Sequence, residues 1–485
     1  MDLGTALGLI AGVLVVSALA AGLVERAPLS FTMLFLGLGF AVGDRGLGLI
    51  SIGLDSRLLE VVAIVTLALV LFLDAVNLEL TELRRDWLAP LLVLGPATLL
   101  VAGLLAGAGM LLLGLPVVLA ALLGTILAST DPVVLRDVLR DPRIPRSVRR
   151  ILSVEAGTND IVVLPILLVL IAIAHADLGG PAEWLGFLGQ LLVLGPAAGF
   201  AVGAVGSWVM GRVDQRFHIR PEYQSLYGIG LVLGAFVIGE AAGGDGFLAA
   251  FAAGMAVTAF NQTLCDCFLE FGQVIAETTM LLAFVLFGAV LSSLVAEVPL
   301  LATLALAALA IFIIRPLVVR SVLRLGRAGL SRYARQFIGW FGPRGLASLL
   351  FALLVVEDGV PGGEQLFALV GVVVLVSVVA HGVTATPFSG WYAHRANQET
   401  LVEERAGTAA ELFAQSPDDI PRVTPAQLFD RLGGPNPPVV LDVRSRSEYN
   451  RDGVRIPGSI RVLPDQVTEW AADRLRDQPY VLYCT

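Results

Sequence analysis

Through its first 390 residues the chain alternates long apolar stretches with short polar interruptions. The repeat length of that pattern matches a membrane-spanning helix. A hydrocarbon core of ~30 Å needs about 20 helical residues. Thirteen stretches approach or reach this length: 3–24, 28–43, 58–77, 88–111, 116–135, 151–175, 185–211, 222–240, 245–262, 274–295, 299–323, 332–356 and 366–390. The second is short, and only Gly243-Gly244-Asp245 divides the pair between 222 and 262, so twelve spans remain an open reading. The first stretch reads as a transmembrane helix rather than a removable signal, because no small-residue cleavage site marks it. The pattern therefore predicts an all-α polytopic membrane domain over 1–395, a linker over 396–419 and a small soluble α/β unit over 420–485.

Composition agrees. Of 485 residues, 56% are hydrophobic and only 15% charged, against about 25% charged in soluble domains, which excludes an ordinary soluble protein and disorder. Residues 1–395 carry 27 acids and 22 bases, whereas the 90 residues from 396 carry 14 and 10. All 32 basic residues are Arg, so every side-chain cation stays charged at accessible pH. Arg136, Arg140, Arg143, Arg146, Arg149 and Arg150 fill the loop between the fifth and sixth stretches. Arg212, Arg216 and Arg220 follow the seventh, and the region where the eleventh passes into the twelfth carries Arg320, Arg324, Arg327, Arg332 and Arg335. Loops of the other parity are bare, with Arg45 and Arg57 as exceptions. Basic loops stay cytoplasmic. Thirteen spans thus put the N-terminus outside and the C-terminal unit in the cytoplasm of a cell (inner) membrane protein. The net charge of −9, with no basic-aromatic clusters, carries no nucleic-acid footprint. Cys265, Cys267 and Cys484 are too few for a disulfide framework. His175, His218, His381 and His394 are scattered, which argues against a metal centre built from histidines, and no cofactor is expected.

Ionisable groups inside apolar spans are costly and are read as functional. Three segments carry them. Ala128-Ser129-Thr130-Asp131-Pro132 closes the fifth stretch, where Pro132 lacks a backbone donor and Ser129 and Thr130 can bond carbonyls instead. A broken helix with a carboxylate at depth fits; a plain cytoplasmic helix end fits as well. Glu155-Ala156-Gly157-Thr158-Asn159-Asp160 opens the sixth stretch, with Glu155 and Asn159 one turn apart. A helix-dipole cap accounts for Glu155 better than for the deeper Asp160. Gly342-Pro343-Arg344-Gly345 interrupts the twelfth stretch and reads as a second break, or as a snorkelling Arg near the helix end. Paired discontinuous helices are how transporters build midplane ion sites. Asp74, Glu240 and Glu277 lack such surroundings and read as helix-end or packing residues.

Taken in order, Thr130-Asp131-Pro132, Glu155…Asn159-Asp160 and Gly342-Pro343-Arg344-Gly345 resemble the monovalent cation:proton antiporters, specifically the NhaP-type sodium/proton exchangers, over roughly residues 3–390. The resemblance implies inverted repeats, two broken crossing helices, a homodimer in the lipid bilayer, and electroneutral exchange of Na+ (or Li+ or K+) for H+ in pH homeostasis. It implies that Asp160 alternately carries cation and proton, that Asp131, Thr130 and Glu155 complete the Na+ site, and that Ser129, Asn159 and Arg344 support it. Arg344 would pair with Glu155. Ala156 stands where the family often has Ser, which removes one side-chain oxygen. A channel-like or redox-regulated cation transport protein is the alternative.

The C-terminal unit, with Val439-Val440-Leu441-Asp442-Val443-Arg444, Ile456-Pro457-Gly458 and Val481-Leu482-Tyr483-Cys484, resembles a rhodanese-like domain. That resemblance makes Cys484 the sulfurtransferase nucleophile of a complete domain, its thiolate favoured by a loop of backbone amides. The unit reads as partial here, expected to be inactive, with a membrane-tethered sulfurtransferase or a redox-sensing module as alternative roles.

Overall fold

A computed structural model of the chain describes residues 3–24, 30–77, 87–141, 143–175, 180–326, 328–399, 401–405, 423–435, 437–472, 474 and 478–483. The membrane domain is a bundle of helices in which α1 is Leu3–Val24, α2 Phe31–Val42 and α3 Arg57–Val76. They are followed by α4 (Leu88–Leu113), α5 (Val117–Ala128), α6 (Pro132–Arg140) and α7 (Arg146–His175). Then come α8 (Pro181–Phe217), α9 (Pro221–Ala241), α10 (Gly246–Phe260), α11 (Gln262–Cys267) and α12 (Gln273–Leu294). The last group is α13 (Leu300–Leu325), α14 (Arg332–Trp340), α15 (Leu346–Glu357) and α16 (Gly363–Gln398). Among the described residues nine helices are long and apolar enough to cross a membrane, and three shorter apolar helices, α2, α10 and α15, accompany them.

Two of the expected stretches are each split in two. The fifth is α5 plus α6, separated by extended Ser129 and Asp131; the twelfth is α14 plus α15, separated by residues 341–345. The last stretch instead runs on to Gln398, because Tyr392, Ala393 and Ala396 bury against the bundle beyond the expected end. Inside the long helices the backbone widens to π turns at Val93–Ala97, Gln190–Leu194 and Leu309–Ile314. Pro96, Pro196 and Pro316 lie in or just after them. Proline has no amide hydrogen and its ring crowds the carbonyl a turn earlier, and a π turn absorbs that mismatch. Elsewhere glycines let helices touch: a Cβ on Gly199 or Gly203 of α8 would lie 1.9 Å or 2.4 Å from the Ala249 or Ala253 carbonyl oxygen of α10. Small residues serve this purpose where lipid gives helices no hydrophobic drive to associate.

After α16 the short helix α17 (Val402–Arg405) folds back onto the bundle. The buried Glu403 carboxylate accepts from the Ser331 amide (2.9 Å) and hydroxyl (2.8 Å) at the start of α14, and from the Tyr392 hydroxyl (2.5 Å) of α16. The C-terminal unit comprises α18 (Pro425–Leu432), β1 (Val439–Asp442), α19 (Arg446–Arg451), β2 (Ile460–Arg461), α20 (Val467–Ala472) and β3 (Tyr480–Tyr483). Its sheet is parallel, in the order β2-β1-β3, with Asp442 opposite both Arg461 and Tyr483. Capping boxes at Thr424 and Ser445 start α18 and α19. Leu441, Val443 and Val462 form its small core.

Candidate ion-binding site

The two helix breaks cross. The Asp131 amide donates to the Pro343 carbonyl at 2.9 Å, joining one gap to the other. The Asp131 side chain then caps two helices at once, its Oδ1 accepting from the Val133 amide of α6 (2.8 Å) and its Oδ2 from the Leu346 amide of α15 (2.7 Å). Each helix start presents unsatisfied amides and a positive dipole end, so one carboxylate at both is well placed. The glycines of the second break are there for space. A Cβ on Gly345 would lie 1.8 Å from Asp131 Oδ2, and one on Gly342 would lie 1.6 Å from Arg315 Nε.

The C-terminal end of α5 needs donors, and Arg344 and Asn159 supply them. Arg344 Nε donates to the Leu127 carbonyl (2.9 Å) and its Nη1 to the Gly342 carbonyl (2.6 Å), while its amide donates to Ser377 Oγ (2.8 Å). A guanidinium at a helix C-terminus also opposes the negative end of the dipole. Asn159 Nδ2 reaches the Ala128 carbonyl at 3.3 Å, tying α7 to the broken α5. Thr130 Oγ1 is buried without a hydrogen-bond partner.

Asp160 sits at the centre, 2% exposed. Among the described residues its one side-chain hydrogen bond comes from Ser129 Oγ, 2.7 Å from Oδ1. Ala156 brings no side-chain oxygen, yet a hydroxyl does reach Asp160, from the neighbouring break. Among the described residues no arginine lies within ion-pair distance of this carboxylate. Glu155, one turn earlier, is engaged differently from what the resemblance implied. Its Oε1 lies 2.7 Å from Nη2 of Arg315 on α13, not in a close pair with Arg344. Arg344 is held by carbonyls, and Arg315, whose Nη2 also donates to the Phe341 carbonyl (2.8 Å), fills the space next to Gly342.

Below the crossing, a cavity of about 530 Å³ opens between α3, α6, α7 and α12. Asp74 of α3 and Gly157 and Thr158 of α7 form part of its wall, Gly157 standing three residues before Asp160. Arg136, Arg140, Arg146, Arg149 and Arg150 line it as well, and Arg136 pairs with Glu277 at 2.8 Å. Asp74 was read from the sequence as a packing residue. It is 8% exposed, its Oδ2 has no hydrogen-bond partner, and its Oδ1 is 3.6 Å from where a Cβ of Gly157 would stand. Glu240 does hold a helix end, accepting from the Gly246 amide at 2.7 Å. Arg315 was also missed, though an Arg-Pro pair inside an apolar run was the available signal. His381 is buried with Nδ1 2.8 Å from the Ser377 carbonyl and Nε2 3.0 Å from the Trp340 carbonyl, bridging α16 to the last turn of α14. No cluster of metal-ligating side chains occurs among the described residues. Cys484 lies outside the described residues.

A buried acid at the crossing of two interrupted membrane helices, with a polar cavity on one side, is the arrangement from which secondary transporters build ion sites. The sodium/hydrogen exchanger transmembrane family model matches residues 13–391, so the chain belongs to the sodium/hydrogen exchanger family. A rhodanese-like domain model matches residues 424–485. The K(+)/H(+) antiporter NhaP of Alkalimonas amylolytica is 28% identical over 79% of this chain and 66% of its own length. The K(+)/H(+) antiporter NhaP2 of Shewanella sp. (strain MR-4) is 26% identical over 76% of this chain and 64% of its own. The chain thus spans slightly less than two-thirds of the length of these curated relatives. The structure of the sodium proton antiporter MjNhaP1 from Methanocaldococcus jannaschii, 20% identical, aligns over 81% of this chain and 99% of that chain with a TM-score of 0.66, which establishes the shared helical membrane fold.

Proposed function

We propose that the protein is a secondary antiporter exchanging a monovalent cation for protons across the cell (inner) membrane, with Asp160 as the exchanging carboxylate. The observation that carries this reading is the state of Asp160: buried, bonded to the Ser129 hydroxyl, and without an arginine in ion-pair distance among the described residues. An ionised carboxylate in such surroundings is unfavourable unless compensated. It can be neutralised by a proton or by a bound cation, and the two exclude each other. That exclusivity couples the fluxes. Ser129, the backbone of Thr130, Asp74 and water at the head of the cavity supply further oxygens for the cation. Asp131, capping two helices, acts as the strut that holds the breaks open, and Asn159, Arg344 and the Glu155–Arg315 pair hold it in place. With Asn159 beside Asp160 there is one fewer titrating acid, which favours one-for-one exchange.

The two breaks with opposed helix ends support an inverted repeat, and thirteen spans with an outside N-terminus fit the placement of the arginines. The tail touches the same end of the bundle as the basic α6–α7 turn, which supports a cytoplasmic tail. We divide the chain into a membrane domain over 1–395, a linker over 396–419 and a rhodanese-like unit over 420–485, and assign it a homodimeric state. The exchanged cation in this reading is an alkali ion, and the K(+)/H(+) names of the relatives are the reason to test K+ beside Na+ and Li+. Purified protein in proteoliposomes with an imposed pH gradient should dissipate it only when Na+, K+ or Li+ is present. Asp160→Asn, which keeps the shape and removes the charge, should abolish the exchange with folding intact. Cation flux without proton movement, or wild-type exchange in Asp160→Asn, refutes the proposal.

A further inference from the structure

Between Glu297 and Glu357 the chain carries arginines at 315, 320, 324, 327, 332, 335 and 344 and no acid. Two of them are engaged at the candidate ion site, Arg315 with Glu155 and Arg344 with the Leu127 and Gly342 carbonyls. Arg320 and Arg324 differ. They lie one turn apart near the end of α13 and both are exposed. Among the described residues neither side chain has an ion-pair, hydrogen-bond or aromatic-ring partner. Arginines of the α6–α7 region are held by protein instead: Arg136 by Glu277, Arg143 by Asp141, and Arg149 by the Leu139 and Ile144 carbonyls.

Position points the same way as charge. Leu317, Arg320, Ser321 and Arg324 follow the i, i+3, i+4, i+7 spacing of one helix face, and all four are exposed. On the other face Val319, Val322 and Leu323 are buried in the bundle, so the exposed stripe looks away from the protein. Helix α13 is 26 residues long, and a ~30 Å hydrocarbon core takes about 20 of them. Counted from Leu300, that sets Leu317 against acyl chains and Arg320, Ser321 and Arg324 at the headgroups. Trp87, 53% exposed at the start of α4, marks the same level. The start of α4 lies beside the end of α13, since a Cβ on Gly326 would stand 2.2 Å from Leu92 Cδ1. Tryptophan is enriched at that boundary. Ser331, just before α14, is bonded to Glu403, so this is the end of the bundle on the tail's side.

We propose that this face of α13 binds an anionic phospholipid of the leaflet on the tail's side, its phosphate held by Arg320 and Arg324 and an acyl chain lying along Leu317. Guanidinium groups recognise phosphate oxygens by paired hydrogen bonds, and the Ser321 hydroxyl between them is a further donor. Charge selects the occupant. Two unpaired cations on one helix face favour a headgroup of net negative charge, whereas a zwitterionic headgroup brings a cation of its own. The apolar residue one turn deeper favours a lipid over a soluble anion. Each arginine at an anionic surface is worth about 1 kcal/mol, or about fivefold in affinity. Helix α13 also presents Arg315 to Glu155, so a lipid that pins its end steadies that pair. The effect on exchange rests on the antiport reading, whereas the binding itself does not.

The test uses the full chain, delipidated in a neutral detergent, with phosphatidylglycerol, phosphatidylcholine and inorganic phosphate as probes. Native mass spectrometry follows binding, and a melting curve follows stability. Phosphatidylglycerol should bind saturably and more tightly than phosphatidylcholine. Arg320→Gln or Arg324→Gln should weaken it about fivefold, and the double variant about 25-fold. Arg220→Gln, which removes an exposed arginine ahead of α9, should leave the binding as it is. The paired change Arg320→Lys with Arg324→Lys keeps the charge and should retain most of the affinity, which decides the matter even if the glutamine variants fold poorly. Equal affinity for phosphatidylcholine, displacement by inorganic phosphate at a like concentration, or undiminished binding in the double glutamine variant overturns the site. A smaller particle on size exclusion of that variant makes the face a contact between two copies and overturns it as well. In proteoliposomes, faster exchange with phosphatidylglycerol than in phosphatidylcholine alone, a difference lost in the double glutamine variant, supports the link to transport. Equal exchange in both lipids overturns that link. If the lipid binds and neither liposome shows exchange, the antiport reading falls and the site stands.

Discussion

Glu155 and Arg315 form the most demanding contact in the membrane domain. Their side chains are 2% and 4% exposed and approach to 2.7 Å. With charge centres about 4 Å apart and an effective dielectric near 20, their attraction is about 4 kcal/mol. Most of that offsets the desolvation of two ions, so the pair as a whole contributes little net stability. Removing one partner is a different matter: it strands a charge and costs about 3–5 kcal/mol. Arg315→Met should lose that amount, and Glu155→Gln a similar amount. The double variant should lose clearly less than the sum, by at least about 2 kcal/mol, because neither charge is then orphaned. The comparison that sharpens the test is Glu155→Gln with Arg344→Met. Arg344 is bonded to the Leu127 and Gly342 carbonyls, so its losses should add to those of Glu155 more nearly. Unfolding in mixed micelles, followed by tryptophan fluorescence, measures all five variants. Additive losses for Glu155 with Arg315, together with strong coupling of Glu155 to Arg344, would refute the arrangement described for this pair.

Further expectations concern the crossing, the tail and the clamp between them. Asp131→Ala removes two helix caps and should destabilise by about 2–4 kcal/mol, each cap being worth about 1 kcal/mol or more; a loss under 0.5 kcal/mol would show that the caps contribute nothing. Gly345→Ala should cost about 1–3 kcal/mol, as overpacking does, and should reduce exchange, which flux assays beside a melting curve would separate. In the tail, burial alone would raise the Asp442 carboxyl, but hydrogen bonds from Arg444 and Tyr483 outweigh it and hold it below its usual range. Its contribution is thus present above the unfolded value near 3.9 and is lost as pH falls through the lower folded value. The amide protection factors in β1, corrected for the intrinsic pH dependence of exchange, should be flat from about pH 7 to 5 and fall below about 4, with Asp442→Asn flattening the profile; protection factors that grow on acidification contradict the assignment. A chain ending after Arg405 should keep its transport rate, whereas one ending after Arg395 loses the Glu403 contacts to Ser331 and Tyr392 and should melt lower.

Much of this architecture could be read from residue order. Hydrophobic runs of fixed length, and proline or glycine beside a charge, mark membrane helices and their breaks, because bilayer thickness and backbone hydrogen bonding leave few other solutions. Partnership was harder to see. Glu155 and Arg315 are 160 positions apart, and nothing local distinguishes Arg315 from the other arginines of its helix except the proline after it. Asp74 looked like an isolated acid near a helix end, since its relation to Gly157 exists only once α3 packs on α7. The Ser129 hydroxyl was expected to serve the broken backbone, and it bonds to Asp160 instead. Contacts across the crossing depend on how two gaps align, which is a three-dimensional fact without a sequence period.

The shared acid at the crossing also limits how this protein can be altered. Asp131 and Gly345 occupy one volume between them: the carboxylate oxygen stands where a side chain at 345 would begin. Neither position can drift by itself. A larger residue at 345 is compatible only with a shorter one at 131, and that exchange removes the cap from the helix beginning at Leu346. The two motifs, more than two hundred residues apart, are therefore a single inheritable unit, and anyone transplanting one broken helix into a related scaffold must carry the other with it.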